Sequence, residues 1–133
     1  MFVELVDYLS DDETLAGLLA DAAYDAGVSG PAIYSLWSPD HPRPYVTISW
    51  SEDEQNEAVF AGELFCDVWI TGTDYQNGRP IVDRLVALLD HAIVDTSRGP
   101  VRFFQPQIAP EQDEDPDRVR WRVTFQFRRS RGE

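Results

Sequence analysis

The chain has 133 residues, 43% of them hydrophobic, and a formal net charge of -13. That length suits one domain with one core, and the apolar content argues against disorder over most of it. So acidic a surface repels nucleic acid and anionic membrane over most of its area, and no apolar run approaches the roughly 18 residues of a membrane span. All 11 basic residues are arginine, a bias that fits a GC-rich genome and a high-salt cytoplasm equally well. The opening MFVELVDYLSDDE is acidic and lacks the basic flank of a signal peptide.

In chain order, FVELVDYLS places Phe2, Leu5, Val6 and Leu9 at helical spacing. Ser10, Asp11 and Asp12 break it and offer caps for a second helix through ETLAGLLADAAYDAG, stopped at Gly27. AIYSLW reads as a short strand, and SPDHPRP as an extended loop. YVTISWS alternates Val46, Ile48 and Trp50 against Tyr45, Thr47 and Ser49, the period of a strand. After the polar EDEQNEAVFAG, the strand ELFCDVWITGT sets Leu64, Cys66, Val68 and Ile70 against Glu63, Phe65, Asp67 and Trp69. Cys66 is the only cysteine, so no internal disulfide is possible, and its apolar side marks it as a buried thiol.

Pro80 is placed as a first-turn proline for a helix over IVDRLVALLDHAIV, which TSRGP ends. VRFFQPQIA is a strand that Pro106 confines to an edge or a bulge. IAPEQDEDPD reads as an acidic loop, and VRWRVTFQF as the closing strand. The fold class expected is α+β, a largely antiparallel sheet of about five strands with helices packed on one face. One domain is expected over residues 1–129, with 130–133 a short basic-ended tail.

That last strand poses the functional question. Val119, Trp121, Val123, Phe125 and Phe127 form its apolar side, and Arg118, Arg120, Arg122 and Arg128 its cationic side. If it shares a sheet with ELFCDVWITGT, the arginines can face Glu63, Asp67, Phe65 and Trp69, within one sheet or across a subunit boundary. Aromatic and arginine enrichment without lysine is the composition of protein–protein contact cores. Ordinary cross-strand ion pairs on a solvated face are an equal alternative. A nucleic-acid stripe ranks third, because the surrounding field is negative.

No catalytic, cofactor-binding or metal site is expected. His41 and His91 have no ligand spacing around them, the acidic runs lack the glycine of a calcium loop, and phosphate-loop and serine-elbow patterns are absent. Nothing in the sequence requires an enzyme.

The order of elements, with PYVTISW, then FCDVWITGTD, then PIVDRLVALLDHAI and the closing VRWRVTFQF, resembles the tail-terminator or tail-completion proteins of long-tailed phages and gene transfer agents. The resemblance spans nearly the whole chain. It implies a structural virion protein that forms a ring, usually hexameric, at the head-proximal end of the tail tube. Such a ring stops tube polymerisation and joins the tail to the neck of the head. Its partners would be further copies of itself, the tail tube protein and a neck or head-completion protein. DNA would pass through the lumen without specific binding, and assembly would take place in the host cytoplasm. A ring needs two different surfaces that meet. The expected subunit contact is Glu63, Phe65, Asp67, Trp69, Arg118, Arg120 and Arg122. The acidic loops, Glu52, Asp53, Glu54 and Glu57 with Glu111, Asp113, Glu114 and Asp115, are expected to line the lumen or meet the adjoining ring, where negative charge keeps DNA from sticking. The alternatives are another tail or neck ring protein, or a non-viral α+β adaptor or ligand-binding domain with a concave apolar pocket.

Overall fold

The N-terminal apolar stripe forms helix α1 (Phe2–Ser10), which buries Leu5 and Leu9 completely. The computed structural model describes residues 2–23, 29–36, 38, 40–52, 60–72, 74–112 and 119–129. Asp12 caps helix α2 (Glu13–Leu18) by accepting the Leu15 N–H. This helix is far shorter than the 15 residues its alanine-rich sequence predicts. Leu19 is extended, and the backbone beyond it takes sheet partners instead: Ala20 N–H bonds the Pro44 carbonyl, and β1 (Asp21–Ala23) pairs with β2 (Ser29–Pro31). Tertiary pairing here overrides local helix propensity.

The strand expected over AIYSLW shrinks to β3 (Ile33–Tyr34). β4 (Tyr45–Glu52) and β5 (Ala61–Trp69) follow the alternation read from the sequence. A 3-10 turn (Tyr75–Gly78) leads into α3 (Arg79–Leu89), with Pro80 in its first turn. The helix stops sooner than expected. His91 takes a left-handed conformation (φ 65°), and the His91 and Ala92 backbones bond Phe103. Ile93 and Val94, expected to be the end of the helix, therefore open strand β6 (Ile93–Thr96). A tight turn at Ser97 and Arg98 joins it to β7 (Gly99–Gln112), and β8 (Val119–Arg129) closes the fold.

The sheet departs from expectation in two ways. It has six strands, in the order β3-β4-β5-β8-β7-β6, and it is mixed, because β3 pairs parallel to β4. β7 is also longer than expected: residues 110–112, read as loop, pair with 119–121. Pro106 sits in a register shift between Phe104 and Gln107, where Gln105 has φ 53°. The bulge is the outcome that a proline inside a strand requires.

One face of the sheet carries the core. Ile48, Leu64, Cys66, Val68, Val123 and Phe125 pack with Leu5, Leu9, Leu15, Ile81, Leu85 and Leu89 of the three helices. Burial pushes the Cys66 thiol well above its ordinary value. Trp121, at the edge of this core, donates its indole N–H to the Tyr75 carbonyl at 2.6 Å. The sheet also curls. Arg98, in the β6–β7 turn, reaches Glu52 at the end of β4 (3.3 Å) and lies 4.0 Å from the Phe60 ring centroid. Three strand spacings, about 14 Å in a flat sheet, separate β4 from β7.

Candidate interaction face

The outer face of the sheet, turned away from the helices, holds the predicted residues. Strand register brings them into rows. Tyr45, Trp69, Arg120 and Glu111 form one row across β4, β5, β8 and β7; Thr47, Asp67, Arg122 and Ala109 form the next; Ser49, Phe65, Thr124 and Gln107 form the third. Period-two alternation puts all of them on the same side. Glu63, Phe65, Asp67, Trp69, Arg120 and Arg122 are thus brought together within one chain. Arg118 lies outside the described residues.

Asp67 is the pivot. It is only 7% exposed, and it receives Arg122 through two hydrogen bonds, Nε to Oδ1 at 2.8 Å and Nη2 to Oδ2 at 3.0 Å. This fork-to-fork contact is the strongest geometry an arginine and a carboxylate can form. Arg120 lies beside the pair, its Nε 3.7 Å from Asp67 Oδ2, and its Nη2 donates to Glu111 Oε2 at 3.0 Å. Two carboxylates therefore meet two guanidiniums, and the local charge sums to zero. The aromatics complete the arrangement. Arg120 stands over Trp69 (4.9 Å to the centroid) and Arg122 over Phe65 (5.1 Å), each a cation–π contact.

Trp69 is locked from the other side. Its indole N–H donates to Thr47 Oγ1 at 2.8 Å, and its ring stacks on Tyr45 at 5.8 Å. Tyr45 begins a second aromatic group, in which His41 stacks flat on Tyr34 (3.6 Å) and both meet Tyr45 edge-on. His41 Nε2 donates to the Leu36 carbonyl, and the Tyr45 hydroxyl donates to that of Ser38. These contacts brace the connection from β3 to β4 over this end of the outer face.

At the opposite end of the face lies an open groove of about 340 Å³ between Ser51, Glu52, Gly62, Glu63, Phe104 and Arg128. Arg128 stands 5.9 Å from the Phe104 ring centroid. Glu63 is exposed there, and Glu52 is the partner of Arg98. Of the expected acidic-loop residues, Glu52 ends β4 and Glu111 lies within β7, on Arg120. Asp53, Glu54, Glu57, Asp113, Glu114 and Asp115 fall outside the described residues. Among the described residues no group of three or more histidine, cysteine or acidic side chains is placed to hold a metal ion, and no helix is long and apolar enough to cross a membrane.

Sequence reading missed Glu111 as a member of the arginine network, because the strand extension beyond Pro106 was hidden by its acidic, proline-rich sequence. It also missed the groove, which requires the β5–β8–β7 order. Tyr45 and Thr47 stood on the correct side of YVTISWS, but nothing local shows that they meet Trp69.

No protein-family profile and no curated protein matches the chain. Among solved structures, 95% of the chain aligns with 90% of a chain from the virion of a native gene transfer agent (GTA) particle, at a TM-score of 0.64 and 17% identity. At that identity the likeness is one of fold.

Proposed function

We propose that this protein is a structural virion component, a ring-forming subunit at the head-proximal end of a tail tube that ends tube polymerisation and joins the tail to the neck. The observation that carries the reading is the fold likeness to a gene transfer agent virion chain, which spans nearly all of both chains. It agrees with the element order on which the sequence resemblance rests. In this reading the protein is not an enzyme. Its partners are further copies of itself, tube and neck proteins, and DNA passes without specific contact.

The outer sheet face suits a subunit contact. Phe65, Arg122 and Glu63 reach its surface, while Asp67, Trp69 and Arg120 stand behind and fix their geometry. The adaptor or ligand-binding reading is less well supported, because the groove is open and rimmed by charged side chains. Native mass measurement and negative-stain imaging at low and at molar salt test the proposal. Molar salt shortens the screening length to about 3 Å and quiets repulsion between acidic subunits. Closed rings, or binding of the purified chain to the ends of isolated tail tubes, are the expected result. A chain that stays monomeric at every salt and ignores tube ends would overturn the proposal.

A further inference from the structure

The two edges of the six-stranded sheet are unlike. At one edge, β6 has only four residues, carries the exposed Asp95 and packs against α1, whose Glu4 accepts the Ser97 N–H at 2.7 Å. A short, charged and covered strand is a protected edge. At the other edge, β3 pairs with β4 only at Val46 and Thr47, and Ser35 and Leu36 then leave the sheet. β4 runs on to Glu52 in unbroken register with β5, without proline or bulge. Among the described residues no strand pairs with its outer side beyond Thr47. One hydrogen bond fixes which backbone groups face that side. The Val46 N–H donates to the Ala32 carbonyl, so Val46 turns its backbone groups away from β5. In an antiparallel ladder every second residue does the same. Trp50 and Glu52 therefore present N–H and C=O outward, whereas Ser49 and Ser51 bond β5. Ser49, Ser51 and Glu52 are exposed, and Trp50 is half-buried at the margin of the core.

We infer that β4 is a docking edge on which an extended segment of a different protein, apolar beside Trp50 and free of acidic residues, adds a strand to the sheet. Backbone spacing selects the extended chain, since only a strand matches outward N–H and C=O groups at every second residue. Trp50 selects the apolar residue, which would continue the core past the present edge. Charge selects against acid. Arg98 offsets Glu52, but Asp53 and Glu54 follow it in sequence, and the chain as a whole carries -13. A second copy is a poor donor of the strand. Its β6 edge is protected, and β4 against β4 across a two-fold axis gives a closed dimer of two like-charged chains. The contact does not depend on the chain forming a ring.

Amide hydrogen exchange of the unmodified chain, read residue by residue by NMR, tests the edge. In the free protein the Trp50 amide should exchange fast while those of Ser49 and Ser51 exchange slowly. The probe is a short capped peptide of alternating valine and threonine with arginine at each end. With the peptide at about ten times its dissociation constant, exchange at Trp50 should slow about tenfold, and that at the Asp95 amide of the protected edge should not change. The same peptide N-methylated along its backbone keeps the side chains and charge but cannot pair as a strand, and it should protect nothing. Three outcomes would each overturn the inference. A free chain whose Trp50 amide is as slow as that of Ser51 has its edge already occupied. Equal protection by the methylated peptide, or none by either, would mean that no strand is added. Protection of Trp50 that rises with protein concentration in the absence of peptide would make a second copy the occupant. None of these results bears on the ring reading, which native mass and tube-end binding decide.

Discussion

Across the β5–β8 pair, Arg122 grips Asp67 with two parallel N–H···O contacts of 2.8 and 3.0 Å, in a site where Asp67 is nearly shut off from water. Removing the carboxylate takes from Arg120 and Arg122 the acid that both of them face. Breaking such a pair by truncating one partner costs about 3 kcal/mol or more, because the charge left behind has lost its compensation. Asp67→Ala is therefore expected to lower the urea midpoint sharply, and Arg122→Ala less so, since Arg120 still stands by the carboxylate. A double-mutant cycle on the two positions should return a coupling of about 1–3 kcal/mol. A coupling near zero would mean that the fork contributes nothing to stability.

A second ion pair ties the helices together. Arg84 of α3 donates Nε to Asp12 Oδ2 at 2.8 Å and Nη2 to Oδ1 at 2.6 Å, while Asp12 also caps α2. The Arg84 hydrogen bonds, with help from the Leu15 N–H, hold the Asp12 carboxyl down at about 2 against an ordinary 3.8. Glu4, bonded by its own backbone N–H and that of Ser97, is likewise held at about 2 against 4.5. Both folded values lie below the unfolded ones. Their contribution to stability is thus fully present above about pH 4.5 and is lost as pH falls towards 2. Thermal melts across that window should fall steeply for the native chain and less steeply for Asp12→Ala. At neutral pH the lost cap alone should cost this variant about 1 kcal/mol.

Two glycines predict opposite effects of the same substitution. Gly62 lies opposite Glu52 and Phe127, and a Cβ there would overlap the Ser51 carbonyl oxygen. Gly62→Ala must push β4 from β5, at a cost of about 1–3 kcal/mol. Gly17 stands in α2 with open space where a Cβ would go. Gly17→Ala should raise stability by up to about 1 kcal/mol through its better helix propensity. Chemical denaturation of both variants checks the pair, and a destabilised Gly17→Ala would contradict the open space found there.

The sheet was more legible than the helices, for a physical reason. Val46, Ile48, Leu64, Cys66, Val68 and Val123 alternate strictly because one face is buried, and a single-residue slip would expose all of them. The joining of Arg120 and Arg122 with Asp67 and Trp69 followed from that alternation plus one assumption, that β5 and β8 share a sheet. The helix ends were not legible. Ala20, Ala22 and Ala23 are good helix formers, and Ile93 and Val94 continue the apolar pattern of α3, but the chain leaves the helix because Pro44 and Ala32 bond the Ala20 backbone and Phe103 bonds those of His91 and Ala92. Such partners are distant in sequence and leave no local mark. The same holds for the Tyr34–His41–Tyr45 stack, which looked like ordinary loop composition.

The arginine row also predicts how the protein meets DNA. Arg79, Arg84, Arg98, Arg120 and Arg122 each pair with a carboxylate of the same chain. Arg120 and Arg122 on β8 are therefore neutralised from within, on a protein of net charge -13. Non-specific DNA binding depends on cations that can replace counterions at phosphate, and it fails where those cations are already engaged. The native chain is expected to show no shift of duplex DNA in a gel and no retention on a polyanion column at about 0.15 M salt. The masking is specific to two side chains, which makes it separable from net charge. Asp67→Asn with Glu111→Gln removes two acids that face Arg120 and Arg122 and leaves the total still strongly negative. This double variant should gain weak, salt-sensitive retention on the polyanion column, while Asp7→Asn with Asp95→Asn, an equal change of charge at two exposed acids that pair with none of these arginines, should gain none. Equal retention of both pairs would mean that net charge governs the interaction and that the local network does not.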